Sequence, residues 1–203
     1  MSVVIVRGYL IIENVRTREK RRAHGVFTRN FAYLLLHVLN TSDSQNEEQT
    51  LKNILGEEHR IYTRVNALIQ SDIFFYQNVY TYLNNASMEN PPKVGLMALL
   101  TESDYTPSPN DYVLPTVDLN VDLASKQIVL NPNNTVIIYA GSKVTPRPLT
   151  VKGVGIANAL YPCLISDSGA SYPRIFMIDG FAITPLEFSA NDVVSVSYRI
   201  TLA

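Results

Sequence analysis

Cysteine and histidine are nearly missing from this sequence. Cys163 stands alone, so no internal disulfide is possible, and one thiol with His24, His37 and His59 falls short of an ordinary structural zinc site. The histidines fall in three different expected elements, none with a carboxylate at triad or metal-ligand spacing. Glu57, Glu58 and His59 are adjacent and read as surface charge, while Cys163, between Pro162 and Leu164, reads as a small buried hydrophobe. Tryptophan is absent and long apolar runs are missing. The opening Val3 to Ile12 is interrupted by Arg7 and lacks a basic leader and a small-residue cleavage site, so no secretory signal is expected. No run approaches the ~20 apolar residues that span a bilayer as a helix. The expectation is a soluble chain, without a membrane span, kept in a reducing interior.

Charge is the other shortage. Charged residues make up 17% of the chain against about 25% in typical domains, whereas the hydrophobic share of 46% is ordinary, which indicates an ordered chain. Asn, Ser, Thr and Tyr fill the gap, with 12 Tyr against 7 Phe. Interfaces are depleted in Lys, Glu and Asp and enriched in Tyr, so the composition suits a surface covered by neighbours, although β-rich proteins share the Tyr and Thr bias. A length of 203 residues allows one domain or a tightly joined pair.

The charge that is present lies unevenly. The net charge of -1 conceals +5 in residues 1–30 and -6 in residues 31–203. Arg16, Arg18, Lys20 and Arg22 occupy alternate positions, so an extended strand projects them from one face, with Arg21 among them. These five are the candidate contact residues, for nucleic-acid phosphates, such as DNA in a channel, or for an acidic partner. The competing reading is a solvated guard on an edge strand. No aromatic residue is interleaved in the run to stack on bases.

Val3 to Ile12 reads as a strand that pairs with Arg16 to Val26 as a long hairpin. Thr28 offers an N-cap for a helix over 29–39 with Phe31, Leu34, Leu35, Val38 and Leu39 at helical spacing. Ser42 or Asp43 caps a second helix bearing Leu51, Ile54 and Leu55 and stopped by Gly56, and a third pattern runs from about 57 to 70. Residues 71–92 are rich in Tyr and Asn and end on the breaker Asn90-Pro91-Pro92. Beyond it, short apolar runs alternate with turn clusters such as Thr106-Pro107-Ser108-Pro109-Asn110-Asp111, the signature of an antiparallel sheet pair. The closing run places Val194, Val196, Tyr198, Ile200 and Leu202 on one face. The expected fold class is therefore α+β: an N-terminal β-hairpin and helices (1–92) packed with a C-terminal, jelly-roll-like antiparallel β-sandwich (93–203).

Asp167-Ser168-Gly169-Ala170-Ser171 resembles the Asp-Ser/Thr-Gly-Ala-Ser/Thr loop of aspartic proteases, in which paired aspartates share a proton and activate water. The resemblance covers five residues, and Ser166 stands where that family has an apolar strand residue. Too little chain follows for the family's later elements, and a polar turn accounts for the segment. Gly153-Val154-Gly155 lacks the third glycine of a dinucleotide fingerprint, and Gly141-Ser142-Lys143 lacks the upstream glycine of a P-loop. No catalytic, cofactor-binding or metal residue is assigned.

The order of features carries more information than these motifs. A strand pair leads to Thr28-Arg29-Asn30-Phe31, then to Val94-Gly95-Leu96-Met97-Ala98-Leu99-Leu100, Leu149-Thr150-Val151-Lys152-Gly153-Val154-Gly155-Ile156 and Arg174-Ile175-Phe176. The chain closes on Val196-Ser197-Tyr198-Arg199-Ile200-Thr201-Leu202. This pattern is similar to a loose family of virion structural proteins of tailed phages and archaeal viruses. The resemblance implies a non-enzymatic subunit, made in the host cytoplasm and placed in the virion, that assembles with copies of itself and other virion proteins at a capsid, vertex or tail. The helical and Tyr/Asn-rich stretch 43–90 departs from that family. An alternative is a sandwich that binds carbohydrate or peptide, with Tyr76, Tyr80 and Tyr82 as stacking residues.

Overall fold

The computed structural model of the chain describes residues 5–32, 48–62, 96–132, 134–160 and 174–203. Its elements are β1 (Val6–Asn14), β2 (Lys20–His24), β3 (Val26–Phe27), β4 (Glu48–Lys52), β5 (Glu58–Tyr62) and β6 (Leu96–Thr101), then β7 (Leu119–Asp122), β8 (Ser125–Asn131), β9 (Asn134–Val144), β10 (Leu149–Leu160), β11 (Arg174–Phe188) and β12 (Val193–Leu202). They form two five-stranded sheets, β2-β1-β12-β9-β8 and β3-β11-β10-β6-β7, and the separate hairpin β4-β5. Every pairing is antiparallel.

Period-two patterning builds the first sheet. In β1, Leu10 and Ile12 point inward, and in β12 Val194, Val196, Tyr198 and Ile200 do so. They meet Leu100, Val121, Val151, Val154, Ile156, Phe176, Phe181 and Leu186 of the second sheet in one shared core. Each of the larger side chains among them contributes about 1.5–3 kcal/mol by leaving water.

The middle of the second sheet is covered on both faces, so every residue of β6 and Gly153 to Asn158 of β10 are buried, as are Phe176 to Phe181 of β11. Its outer face carries Met97, Leu99, Ala157 and Met177, covered by Leu114, Tyr105 and Ile54. Gly153, Gly155 and Gly180 form a lane on this face. Cβ atoms there would collide with the Tyr105 ring or crowd Leu114 and Met177. The glycine pair that superficially suggests a nucleotide loop is thus a strand surface kept flat for a covering loop.

The expected α+β class is overturned, because the described chain is almost entirely β, residues 29–32 being its helical ones. Where helices over 42–55 and 57–70 were expected, the described residues form the hairpin β4-β5. Asn53 Oδ1 accepts the amides of Leu55 (3.0 Å) and Glu57 (2.9 Å), and Gly56 adopts φ +84°, so turn chemistry prevails over the apolar spacing. Thr28 does not cap with its side chain: its hydroxyl donates to the Met177 carbonyl at 2.7 Å. Asn30 instead bridges β4 and β11, donating to the carbonyls of Lys52 (2.8 Å) and Met177 (3.1 Å). Residues 33–47 and 63–95 lie outside the described residues.

The two antiparallel sheets packed on one shared core are compatible with the expected β-sandwich, and the first and last parts of the chain pair in both sheets, β1 with β12 and β3 with β11. The sheets are built from the in-sheet hairpins β1-β2, β8-β9, β6-β7 and β10-β11, with β12 inserted between two of them. The N-terminal hairpin is integral to the sheet that β12 joins, so pairing crosses the 92/93 boundary.

Candidate functional site

Four of the five basic candidates are neutralised locally. Arg16 and Arg18 lie in the β1-β2 turn rather than in a strand. Asn14 organises that turn by accepting the amides of Arg16 (3.0 Å) and Thr17 (3.3 Å), and Arg18 takes φ 64°. Arg16 pairs with Asp192 at 3.0 Å and donates to Ser189 Oγ at 3.2 Å. Hydrogen bonds from the Asn14 side chain and the Ser189 amide, then the Arg16 charge, hold the Asp192 carboxyl below its ordinary pKa. Arg18 and Lys20 face Glu13 at 4.0 and 3.0 Å. Arg21 pairs with Glu19 and donates to the carbonyls of Thr184 and Pro185, fastening β2 to β11. Of the alternating set only Lys20 and Arg22 share a strand face, and Arg22 is exposed without a carboxylate partner among the described residues.

Strand register assembles a different cationic group on the outer face of the first sheet. Tyr9 lies opposite His24 on one side and opposite Arg199 on the other. Arg7 and Arg22 flank this row on the same face, two residues along in either direction. The Tyr9 and His24 rings are 5.3 Å apart at 59°. Arg199 Nε is buried and finds no acceptor among the described residues. The carboxylate of this face, Glu13, is engaged by Lys20. The remainder of the face is uncharged, with Ile11, Ser197 and Thr201 beside the cations and Ala140, Ile138 and Val136 beyond them, followed by Ser125, Gln127 and Val129 of β8.

Beside that face runs an open edge. β8 pairs only with β9 among the described residues, and its side chains Ile128 and Leu130 are 54% and 77% exposed. The opposite edge, β2, carries Lys20 and Arg22, the usual guard against edge pairing. In β8 the guard is the single cation Lys126.

A carboxyl group sits between the sheets. Asp179 is fully buried and accepts from Tyr198 Oη at 3.0 Å and from the Gly180 amide at 3.0 Å. Burial raises its pKa to about 7 against those two hydrogen bonds, which act in the lowering direction. Gly8 and Gly25 make the room, since a Cβ at either would collide with the carboxyl. Tyr198, itself wholly buried, has its own pKa pushed far up by desolvation and then by the Asp179 charge. The pair is a hydrogen-bonded tie from β11 to β12 across the core.

Sequence reasoning missed Arg7, Tyr9, His24 and Arg199 as a group. The outward parity of Arg199 is visible in the alternation of β12, but its position opposite Tyr9 depends on the β1-β12 register. Asp179 is signalled only by an acid inside the apolar run Phe176-Met177-Ile178-Asp179-Gly180-Phe181. Asp167 to Ser171, Cys163, His37 and Tyr76, Tyr80 and Tyr82 lie outside the described residues. Gly141-Ser142-Lys143 is part of β9, where Gly141 lies against the Asp122 carbonyl and Lys143 donates to Asn120 at 2.6 Å. Among the described residues no group of His, Cys, Asp or Glu is placed to hold a metal ion, and no helix is long and apolar enough to cross a membrane. No family model, curated protein or solved structure matches the chain.

Proposed function

We propose that this chain is a non-enzymatic structural subunit of a virus particle, assembling with copies of itself and with other virion proteins as a building block or adaptor of the capsid, vertex or tail. On this reading it is made in the host cytoplasm and functions in the virion. The resemblance in strand order points to the virion, and the β8 edge is the observation that carries self-assembly. A strand of seven residues at the sheet edge, paired among the described residues only with β9, presents apolar Ile128 and Leu130 for a second strand to cover and a backbone edge for it to pair with. A second copy supplies that strand most simply, β8 against β8 about a twofold axis, which would continue the sheet from one subunit into the next. Low overall charge and abundant Tyr suit further covered surface.

Sedimentation velocity tests this reading. Wild type is expected to sediment as an oligomer, and Ile128→Lys/Leu130→Lys as a monomer with thermal unfolding within about 0.5 kcal/mol of wild type, since both side chains are already exposed. A wild-type monomer at concentrations found in assembling particles, or an oligomer indifferent to the double substitution, contradicts it.

A further inference from the structure

The outer face of the β2-β1-β12 half of the first sheet separates cations that have partners from cations that do not. Arg16, Arg18, Lys20 and Arg21 each meet a carboxylate. Arg7, Arg22 and Arg199, which share the face around Tyr9, meet none among the described residues. Arg199 is the most telling, because its buried Nε has no acceptor among the described residues and a charged group partly removed from water without a partner is costly. An anion meeting the guanidinium at the sheet surface would supply the missing counter-charge.

We propose that this face binds single-stranded nucleic acid, with Arg7, Arg22 and Arg199 on the phosphates and Tyr9, steadied by His24, as the platform for a base. This goes beyond the assembly reading and does not depend on it. Guanidinium groups match phosphate oxygens bidentately and stack on planar bases, which a group of three arginines serves better than a scatter of lysines. The aromatic row is the part that an acidic peptide would leave unused: Tyr9 stands between His24 and Arg199, and base-on-aromatic stacking is how single strands are held without sequence reading. Short neighbours, Ser197 and Thr201, leave Tyr9 approachable across the sheet. From the level of Arg7 to that of Arg22 is four residue steps along the strand, about 14 Å, room for a few nucleotides. A duplex hides its base faces, so it would use the cations and not the ring.

Fluorescence anisotropy of a short labelled oligo(dT) tests the proposal with the full chain. Binding is expected, with a log K against log salt slope of about -2 for three phosphate contacts on a single strand. Arg7→Ser/Arg22→Ser/Arg199→Ser is expected to abolish that salt dependence and weaken binding at least ~10-fold. Tyr9→Ser, which leaves every charge in place, should weaken binding roughly 10-fold. Arg16→Ser, which removes a cation that already has a carboxylate, should change little. Should the triple variant unfold, Arg22→Ser on the exposed edge and Tyr9→Ser still decide the matter. Absence of binding at low salt overturns the proposal. So does displacement of the oligonucleotide by equal charge of polyglutamate together with an indifferent Tyr9→Ser, which would mark an acidic-protein contact. Equal affinity for a matched duplex also overturns it.

Discussion

Asp179 shows how far a single residue can organise the core. Its carboxyl occupies space that Gly8 and Gly25 vacate, and its bond to Tyr198 joins the two sheets where the chain crosses from β2 to β3. Because its folded pKa of about 7 exceeds its ordinary 3.8, the folded chain holds a proton that the unfolded chain has released between those values. Stability contributed by this group is therefore complete below pH 4, declines as pH rises to 7 and levels off above it. The full difference is of order 4 kcal/mol by linkage. The other titratable groups around the carboxyl, Tyr198 and Tyr105, have pKa values raised above the ordinary tyrosine range and stay neutral through that window. Chemical denaturation at a series of pH values should show the decline in wild type and remove it in Asp179→Asn, which keeps the shape and cannot ionise. A parallel decline in the variant would place the effect elsewhere. Little of this was legible in the sequence, since an acid in an apolar run reads as a strand end until the opposite sheet supplies a phenol.

Among the elements, strands with clean alternation were legible and the short amphipathic patterns were not. β12 shows its inward face in sequence because period two is unambiguous over ten residues. Leu51, Ile54 and Leu55 fit helical spacing equally well, yet Asn53 and Gly56 fold the same residues into a hairpin whose turn sets Ile54 against the second sheet. Gly153 and Gly155, an incomplete dinucleotide fingerprint in the sequence, serve as a packing lane. That lane predicts a local cost: Leu114, 2% exposed, belongs to a loop that seals the outer face of the second sheet. Leu114→Ala should destabilise by about 2–5 kcal/mol in urea unfolding, in the range of buried leucine truncations. A cost under about 1 kcal/mol would mean that the loop lies on the sheet without holding it.

For the molecule as a whole, the charge asymmetry of the sequence survives in altered form. The basic hairpin is not a free arm: Arg16 and Arg21 bind back onto Asp192 and onto the β11 carbonyls, and Arg7 and Arg22, which meet no carboxylate among the described residues, gather on the sheet face with Arg199 from the other end of the chain. Sequence supplied the excess of positive charge but not its address, because the address depends on β1 pairing with β12 across the length of the chain. The molecule thus presents two surfaces, a cationic face and an apolar edge at β8, and the proposed self-assembly runs through that edge. Hydrogen exchange measured across a range of protein concentrations tests it most directly. The β8 amides that do not bond to β9 should become protected as concentration rises, while those of the opposite edge β2 stay unchanged. Fast exchange at β8 that is independent of concentration would contradict assembly through this strand.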